Sequence, residues 1–337
     1  MDPVWLTLAA HATDATSIFK PTSPPADEIR SLSILVFAIT GFIFLVVEGV
    51  LIYCVVRFRR RAGESSNEPP QFYGSKPIEI AWTAGPAVIV LVLMLVTTRA
   101  LFQVNINLPP AATGDHALFV RVIGRQWWWE YHYETYDGRN LGFITANELH
   151  VPVSSAEVAR PVYLRLESAD VCHSFWVPRL GGKTDLIPNK ENAMWFQTTE
   201  PGLYLGQCAE YCGTQHAGML LRVVVESPED FEHWLAAQAG DAVDSPKVEE
   251  GRKLFLSQSC VNCHRVRGTT AQGTYAPDLT HLMSRETLAA GMEPNTAENL
   301  RSWVGDPQVI KPGCLMPSFK LSDRERDLIV DYLLTLK

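Results

Sequence analysis

Positive charge is scarce in this chain. Its 29 Lys and Arg stand against 37 Asp and Glu, a formal net charge of −8 at pH 7. A nucleic-acid partner calls for a basic face, so this balance counts against one. The deficit is local: residues 105–245 hold nine Lys/Arg and eighteen Asp/Glu, whereas residues 246–337 hold twelve and eleven. An acidic segment suits electrostatic steering of a basic protein, although acidic surfaces also simply aid solubility. Cysteine is too sparse for a disulfide framework. Of seven, four sit in two short motifs, and Cys54, Cys172 and Cys314 are scattered. No basic stretch precedes the opening VWLTLAA, so residues 1–30 read as an arm with a Pro-rich loop rather than as a signal peptide.

Long apolar runs are present, but only near the N-terminus. One covers about residues 31–56 and the other about 78–102. Each exceeds the ~20 residues that a helix needs to cross a ~30 Å hydrocarbon core. Cys54, inside the first run, reads as a small buried hydrophobe. Arg57, Arg59, Arg60 and Arg61 follow the first run and Lys76 precedes the second, which puts the 57–77 loop in the cytoplasm. The expectation is a transmembrane hairpin over 31–104, with the 1–30 arm and everything after residue 104 exported. Intramembrane carboxylates are functional candidates, here Glu48 and Glu79.

After residue 105 the chain reads as β-strands at 117–124, 126–133, 162–168, 193–199, 203–206 and 220–226. They are β-branched or aromatic and separated by Gly, Pro and Asn. That spacing predicts an all-β Greek-key barrel or sandwich over 105–238. It ends in a helix over 227–238, with Ser227 able to cap and Asp230 three residues on. A small polar linker, 239–246, precedes an all-α segment over 247–337. There, helices are expected at KVEEGRKLF, TAENLRSWV and from Ser322 to the end.

The densest chemistry lies in His173 and in Cys208-x-Glu210-x-Cys212-x3-His216-x2-Met219. Two thiols, two imidazoles and a thioether form a soft donor set that selects copper. A mononuclear blue-copper site uses one cysteine, so the second argues for two metals. Zinc rarely recruits a thioether, and a Cys208–Cys212 disulfide leaves His173, His216 and Met219 unexplained. Downstream, Cys260-Val261-Asn262-Cys263-His264 is the C-x-x-C-H of covalently attached c-type haem, with His264 proximal. The distal ligand is expected to be Met316, in KPGCLMP, because His/Met ligation raises the potential. Met283 and Met292 are weaker alternatives.

These residues carry a resemblance to subunit II of the haem-copper cytochrome c oxidases over about residues 30–235. The supporting stretches are IEIAWTAGPA, GRQWWWEY, DVCHSFWVP, GGKTDLIPN and PGLYLGQCAEYCGTQHAGM. Residues 247–337 resemble class I cytochrome c, and the fusion resembles the caa-type branch. The resemblance implies a cupredoxin barrel with a binuclear copper A centre held by His173, Cys208, the Glu210 carbonyl, Cys212, His216 and Met219. It further implies a magnesium ion facing the Glu210 side chain at the subunit I boundary. Trp127 takes the exposed position through which electrons arrive from docked cytochrome c, and Glu79 the mouth of a proton channel. Pro277 takes the place of the proline whose carbonyl orients the haem-ligating histidine, and Gly251 and Phe255 pack against Tyr332. Two departures stand out: Cys172 beside the first copper ligand, read as a buried free thiol, and Pro188-Asn189-Lys190 where the family usually has Pro-Gly-Arg.

By that resemblance the chain is an electron-input subunit of a bacterial plasma-membrane oxidase. Its partners are subunit I, where dioxygen is reduced, subunit III, and a soluble cytochrome c or equivalent donor. The isolated chain is expected to lack oxidase activity. Quinol oxidase subunit II keeps the fold without the copper ligands. Nitrous oxide reductase is soluble and carries a large propeller. A reading from another class is a membrane-tethered copper-delivery module, which the haem motif and the matched hairpin count against.

Overall fold

A computed structural model describes residues 16–59, 70–106, 116–243 and 245–337. The N-terminal arm up to residue 15, Arg60 and Arg61 of the basic cluster, and Asp244 of the linker lie outside the described residues. The chain forms two compact units: Asp27–Asn107, and Leu108–Lys337 together with the residues before Asp27.

The first unit contains two long helices, α1 (Pro24–Arg57) and α2 (Lys76–Ile106). Both outrun the apolar stretches that predict them. Pro24 starts α1 because its fixed φ and missing N–H suit a first turn. At 34 residues α1 is about 50 Å long by its 1.5 Å rise, more than a hydrocarbon core requires. Phe42, Leu45 and Val56 point outward, exposed on helices with no polar face. That is the pattern for a hydrocarbon solvent. Cys54 shares this exposure, so the expected burial is not met within the chain. Glu79 sits in the first turn of α2, and Glu48 is half-buried on α1.

The second unit opens with a two-sheet barrel. Its strands are β1 (Leu118–Arg125), β2 (Trp128–Tyr136), β3 (Arg139–Ala146), β4 (Glu148–Pro152), β5 (Val162–Ser168), β6 (His173–Trp176), β7 (Thr184–Leu186), β8 (Asn192–Phe196), β9 (Gly202–Cys208) and β10 (Leu220–Glu226). One sheet runs β3-β2-β1-β5-β8 and the other β4-β10-β9-β6-β7. The β1–β5 and β4–β10 pairs are parallel and the other pairs antiparallel. Alternation along β1 buries Leu118, Val120 and Val122. They meet Trp129, Tyr131 and Phe175 in a core closed by Phe231 of helix α3 (Pro228–Ala239). Ser227 caps α3 by accepting from Asp230 N. Asn189 takes φ 61, the left-handed region that asparagine tolerates better than most side chains, which fits the glycine that the resemblance leads one to expect there.

Downstream come α4 (Glu249–Ser257), α5 (Cys260–Cys263), a two-strand finger β11 (Thr287–Leu288) and β12 (Glu293–Pro294), α6 (Ala297–Gly305), α7 (Pro307–Ile310) and α8 (Asp323–Leu333). Ser322 and Glu325 form a capping box on α8. Gly251 lets α4 approach α8: a Cβ there would stand 2.0 Å from the Leu328 carbonyl oxygen. Phe255 and Tyr332 meet with ring centroids 5.5 Å apart, as expected.

Candidate copper and haem sites

The β9–β10 ladder holds the first site. Cys208 ends β9, Leu220 opens β10 opposite Gln207, and Cys208 N donates to Met219 O at 2.9 Å. The eleven residues between the two strands form a loop pinned at its neck. From the neighbouring strand β6, His173 enters beside Cys208, since Phe175 pairs with Cys208 and Ala209 N donates to Ser174 O. Gly124 makes room for the imidazole: a Cβ there would stand 2.8 Å from its Cδ2.

The expected donors converge. The sulfurs of Cys208 and Cys212 are 3.8 Å apart, a separation of paired thiols rather than a disulfide. His173 Nδ1 lies 3.9 Å from Cys208 Sγ and His216 Nδ1 lies 3.6 Å from Cys212 Sγ. Met219 Sδ lies 3.9 Å from Cys212 Sγ, and the Glu210 carbonyl oxygen 3.2 Å from Cys208 Sγ. His173, Cys208, Cys212 and Met219 are buried, while the Glu210 side chain is exposed. Hydrogen bonding with Cys212, seconded by His173, holds the Cys208 thiol far below its usual range; the same neighbour pushes Cys212 far above it. Two sulfurs sharing one proton readily release it to a bound cation.

Asp170 opens the DVCHSFWVP stretch without having been given a role there, and it orients this site. Its Oδ1 lies 2.8 Å from His173 Nε2, leaving Nδ1 to the donor cluster. Burial pushes the Asp170 carboxyl up, but hydrogen bonds from His173, Gln126 N and Val171 N outweigh this and hold it below the usual range. It therefore stays an acceptor. Cys172 is exposed, a correction to its expected burial. It follows a bend at 169–171, and the backbone there turns His173 rather than its neighbour into the core.

The second site is a cavity of about 330 Å³ lined by Cys260, Cys263, His264 and Met316. His264 Nδ1 donates to Pro277 O at 2.8 Å, which directs Nε2 away as an iron ligand would require. Burial pushes the imidazole's pKa down, favouring the neutral ring that binds a metal. Met316 lines the cavity. Met283 packs in the helical core, and Met292 lies against Gly218. The donor set and the pocket fit a covalently held haem.

The barrel supplies the far wall of this cavity, with Arg125, Gln126, Trp127, Trp128 and Asp170. Trp127, expected at an exposed position, is only 8% exposed. Its Nε1–H donates to Cys212 O at 2.8 Å, and its carbonyl accepts from Lys311 of the helical domain at 2.8 Å. That domain covers it. Sequence reasoning missed Lys311 because its partners lie far away along the chain.

The fold and the two sites define a membrane-anchored copper-and-haem electron-transfer protein. The chain matches the family described as cytochrome c oxidase subunit II, transmembrane domain, over residues 12–99 and its periplasmic domain over 118–227, followed by cytochrome c over 248–337. It is 33% identical to cytochrome c oxidase subunit 2 of Alkalihalophilus pseudofirmus over 321 residues, covering 94% of this chain and 90% of that protein. It is likewise 33% identical to the Bacillus subtilis protein over 337 residues, covering 95% and 92%. The solved periplasmic domain of cytochrome oxidase subunit II from Bradyrhizobium japonicum is 29% identical and superposes with a TM-score of 0.33, covering 38% of this chain and 96% of that one. The chain therefore belongs to the cytochrome c oxidase subunit II family, in a form that carries its own cytochrome c domain.

Proposed function

We propose that this subunit serves a proton-pumping, caa-type oxidase of a bacterial plasma membrane. In this reading residues 31–104 anchor it, 105–238 carry binuclear copper A, and 247–337 carry haem c beyond the 239–246 linker. Copper is held by His173, Cys208, the Glu210 carbonyl, Cys212, His216 and Met219. Cys260, Cys263, His264 and Met316 would hold the haem. When bound, the metals supply one-electron chemistry, and two coppers sharing one electron keep reorganisation small.

The observation that carries the reading is the symmetry of the donor cluster. Each sulfur has its own imidazole Nδ1 beside it, a paired donor set that would suit two metals rather than one. The chain's residues orient and shield: Asp170 aims His173, Pro277 aims His264, and Trp127 hydrogen-bonds the copper loop. The exposed Glu210 side chain is free to meet a magnesium ion at the boundary with subunit I. A soluble cytochrome c is the donor, subunits I and III are the partners, and oxygen reduction belongs to subunit I. The test is metal and haem content of the purified chain, with two coppers and one haem expected. Zinc, or a four-line blue-copper spectrum, would overturn it.

A further inference from the structure

We propose that Lys311 is a positioning residue that seats the cytochrome domain on the copper loop as a fixed cover, so that the two redox sites keep one separation. The proposal rests on the metal assignment above but is argued from the protein alone.

Lys311 is 3% exposed, and its ammonium donates three hydrogen bonds. They run to the carbonyls of Trp127 at 2.8 Å, Gly218 at 2.8 Å and Ala289 at 2.9 Å. An ammonium has three donors and no acceptor, so all its capacity is used. Two of the carbonyls belong to the barrel and flank the copper donors: Trp127 bonds to Cys212, and Gly218 lies between His216 and Met219. The third belongs to the finger of the cytochrome domain. Lys311 itself precedes Met316 by five residues. One side chain thus ties both ligand loops together. Burial pushes its pKa down to about 7, so holding the charged form there is costly, and the three carbonyl acceptors are what favour it.

The finger is shaped for the same seat. Ala289 and Ala290 take φ of 53 and 61 before Gly291 at 88. Left-handed alanines cost about 1 kcal/mol or more each and survive where the surroundings enforce them. Here the turn aims the Ala290 carbonyl at Leu220 N, 3.1 Å away, and a Cβ on Gly291 would stand 3.0 Å from Leu220 Cβ. Behind it, buried Glu148 of the barrel accepts from Glu286 N at 3.0 Å and from the Thr287 amide and hydroxyl at 2.9 and 2.7 Å.

The test uses the full chain in its assembled complex, with Lys311→Met as the variant and Lys311→Gln, which keeps two donors, as the conservative rescue. Amide hydrogen exchange is read at Leu220, Glu286 and Thr287 against β1 as an internal control. Lys311→Met should lose at least tenfold protection at the three amides with β1 unchanged, and Lys311→Gln should recover part of it. Flash reduction of the haem, followed at the copper band, should show slower transfer in the same order. Unchanged exchange in Lys311→Met, or failure of both variants to take up haem, would overturn the positioning role. Wrong metal stoichiometry would instead sink the cofactor assignment, leaving the exchange result interpretable.

Discussion

The Trp127 indole and the Cys212 carbonyl are joined by a 2.8 Å hydrogen bond, and the same carbonyl accepts from Gln126 Nε2 at 2.8 Å. An aromatic ring on the cavity wall is thereby anchored to the backbone of a proposed copper donor. Trp127→Phe keeps most of the ring and removes one buried bond, worth about 1 kcal/mol. Copper content should be retained while electron transfer into the copper site slows, as read by flash photolysis. Unchanged transfer would make Trp127 a packing residue.

Met316→Ala should abolish the weak methionine-to-iron absorption at the red end of the visible spectrum and lower the haem potential, with both thioether bonds intact. A band that survives would pass the role to Met283 or Met292. Their positions in the helical core and against Gly218 argue against that outcome.

Gly251→Ala drives a methyl to 2.0 Å from the Leu328 carbonyl oxygen, backbone that cannot move away cheaply. Overpacking of this kind costs about 1–3 kcal/mol. The α4–α8 pair should open, and haem incorporation should fall while copper loading in the barrel persists. Haem and copper assays on one preparation separate the two.

Acid sensitivity should trace in part to Glu130. Burial pushes its carboxyl up, but the His132 hydrogen bond and the Arg125 charge outweigh this, so its folded pKa lies below the ordinary value of 4.5. A depressed carboxylate stabilises the fold above that ordinary value, and the contribution is lost as the pH falls through the folded pKa. Glu130→Gln should therefore be less stable than the parent near neutrality. The gap should shrink below about pH 4.5 in denaturant melts. A gap independent of pH would remove Glu130 from the account.

Glu79→Gln should slow turnover of the assembled oxidase without changing copper content, if that carboxylate serves proton uptake. Normal turnover would leave it a solvated residue in the first turn of α2.

The donors were legible in the chain because they are clustered: a strand end, a short loop and a strand start bring Cys208 to Met219 together with little help from elsewhere. His264 was legible from the C-x-x-C-H, and its Pro277 partner only through the resemblance to class I cytochrome c. Strands β1, β5 and β10 declared themselves by alternation, but β4, β6 and β7 are too short for a period to show. Asp170 sits three residues before His173 and was within reach of a turn argument. Lys311 and Glu148 were not, because the partners each finds in the other domain lie 93 and 184 residues away for Lys311 and 138 and 139 for Glu148. Trp127 was misjudged for the same reason: what covers it arrives at the far end of the chain.

The tether between the domains is anchored where it leaves α3. Arg267 donates to the carbonyls of Gln238 and Ala239, and His281 Nε2 lies 3.0 Å from Gly240 O, so the connecting stretch is stitched down as it leaves α3. Under the proposed cofactor assignment, passage of charge from one domain to the other is expected to run within the chain rather than by collision. Added salt, which weakens encounters between separate charged proteins, should throttle delivery by a soluble donor and leave the internal hop untouched.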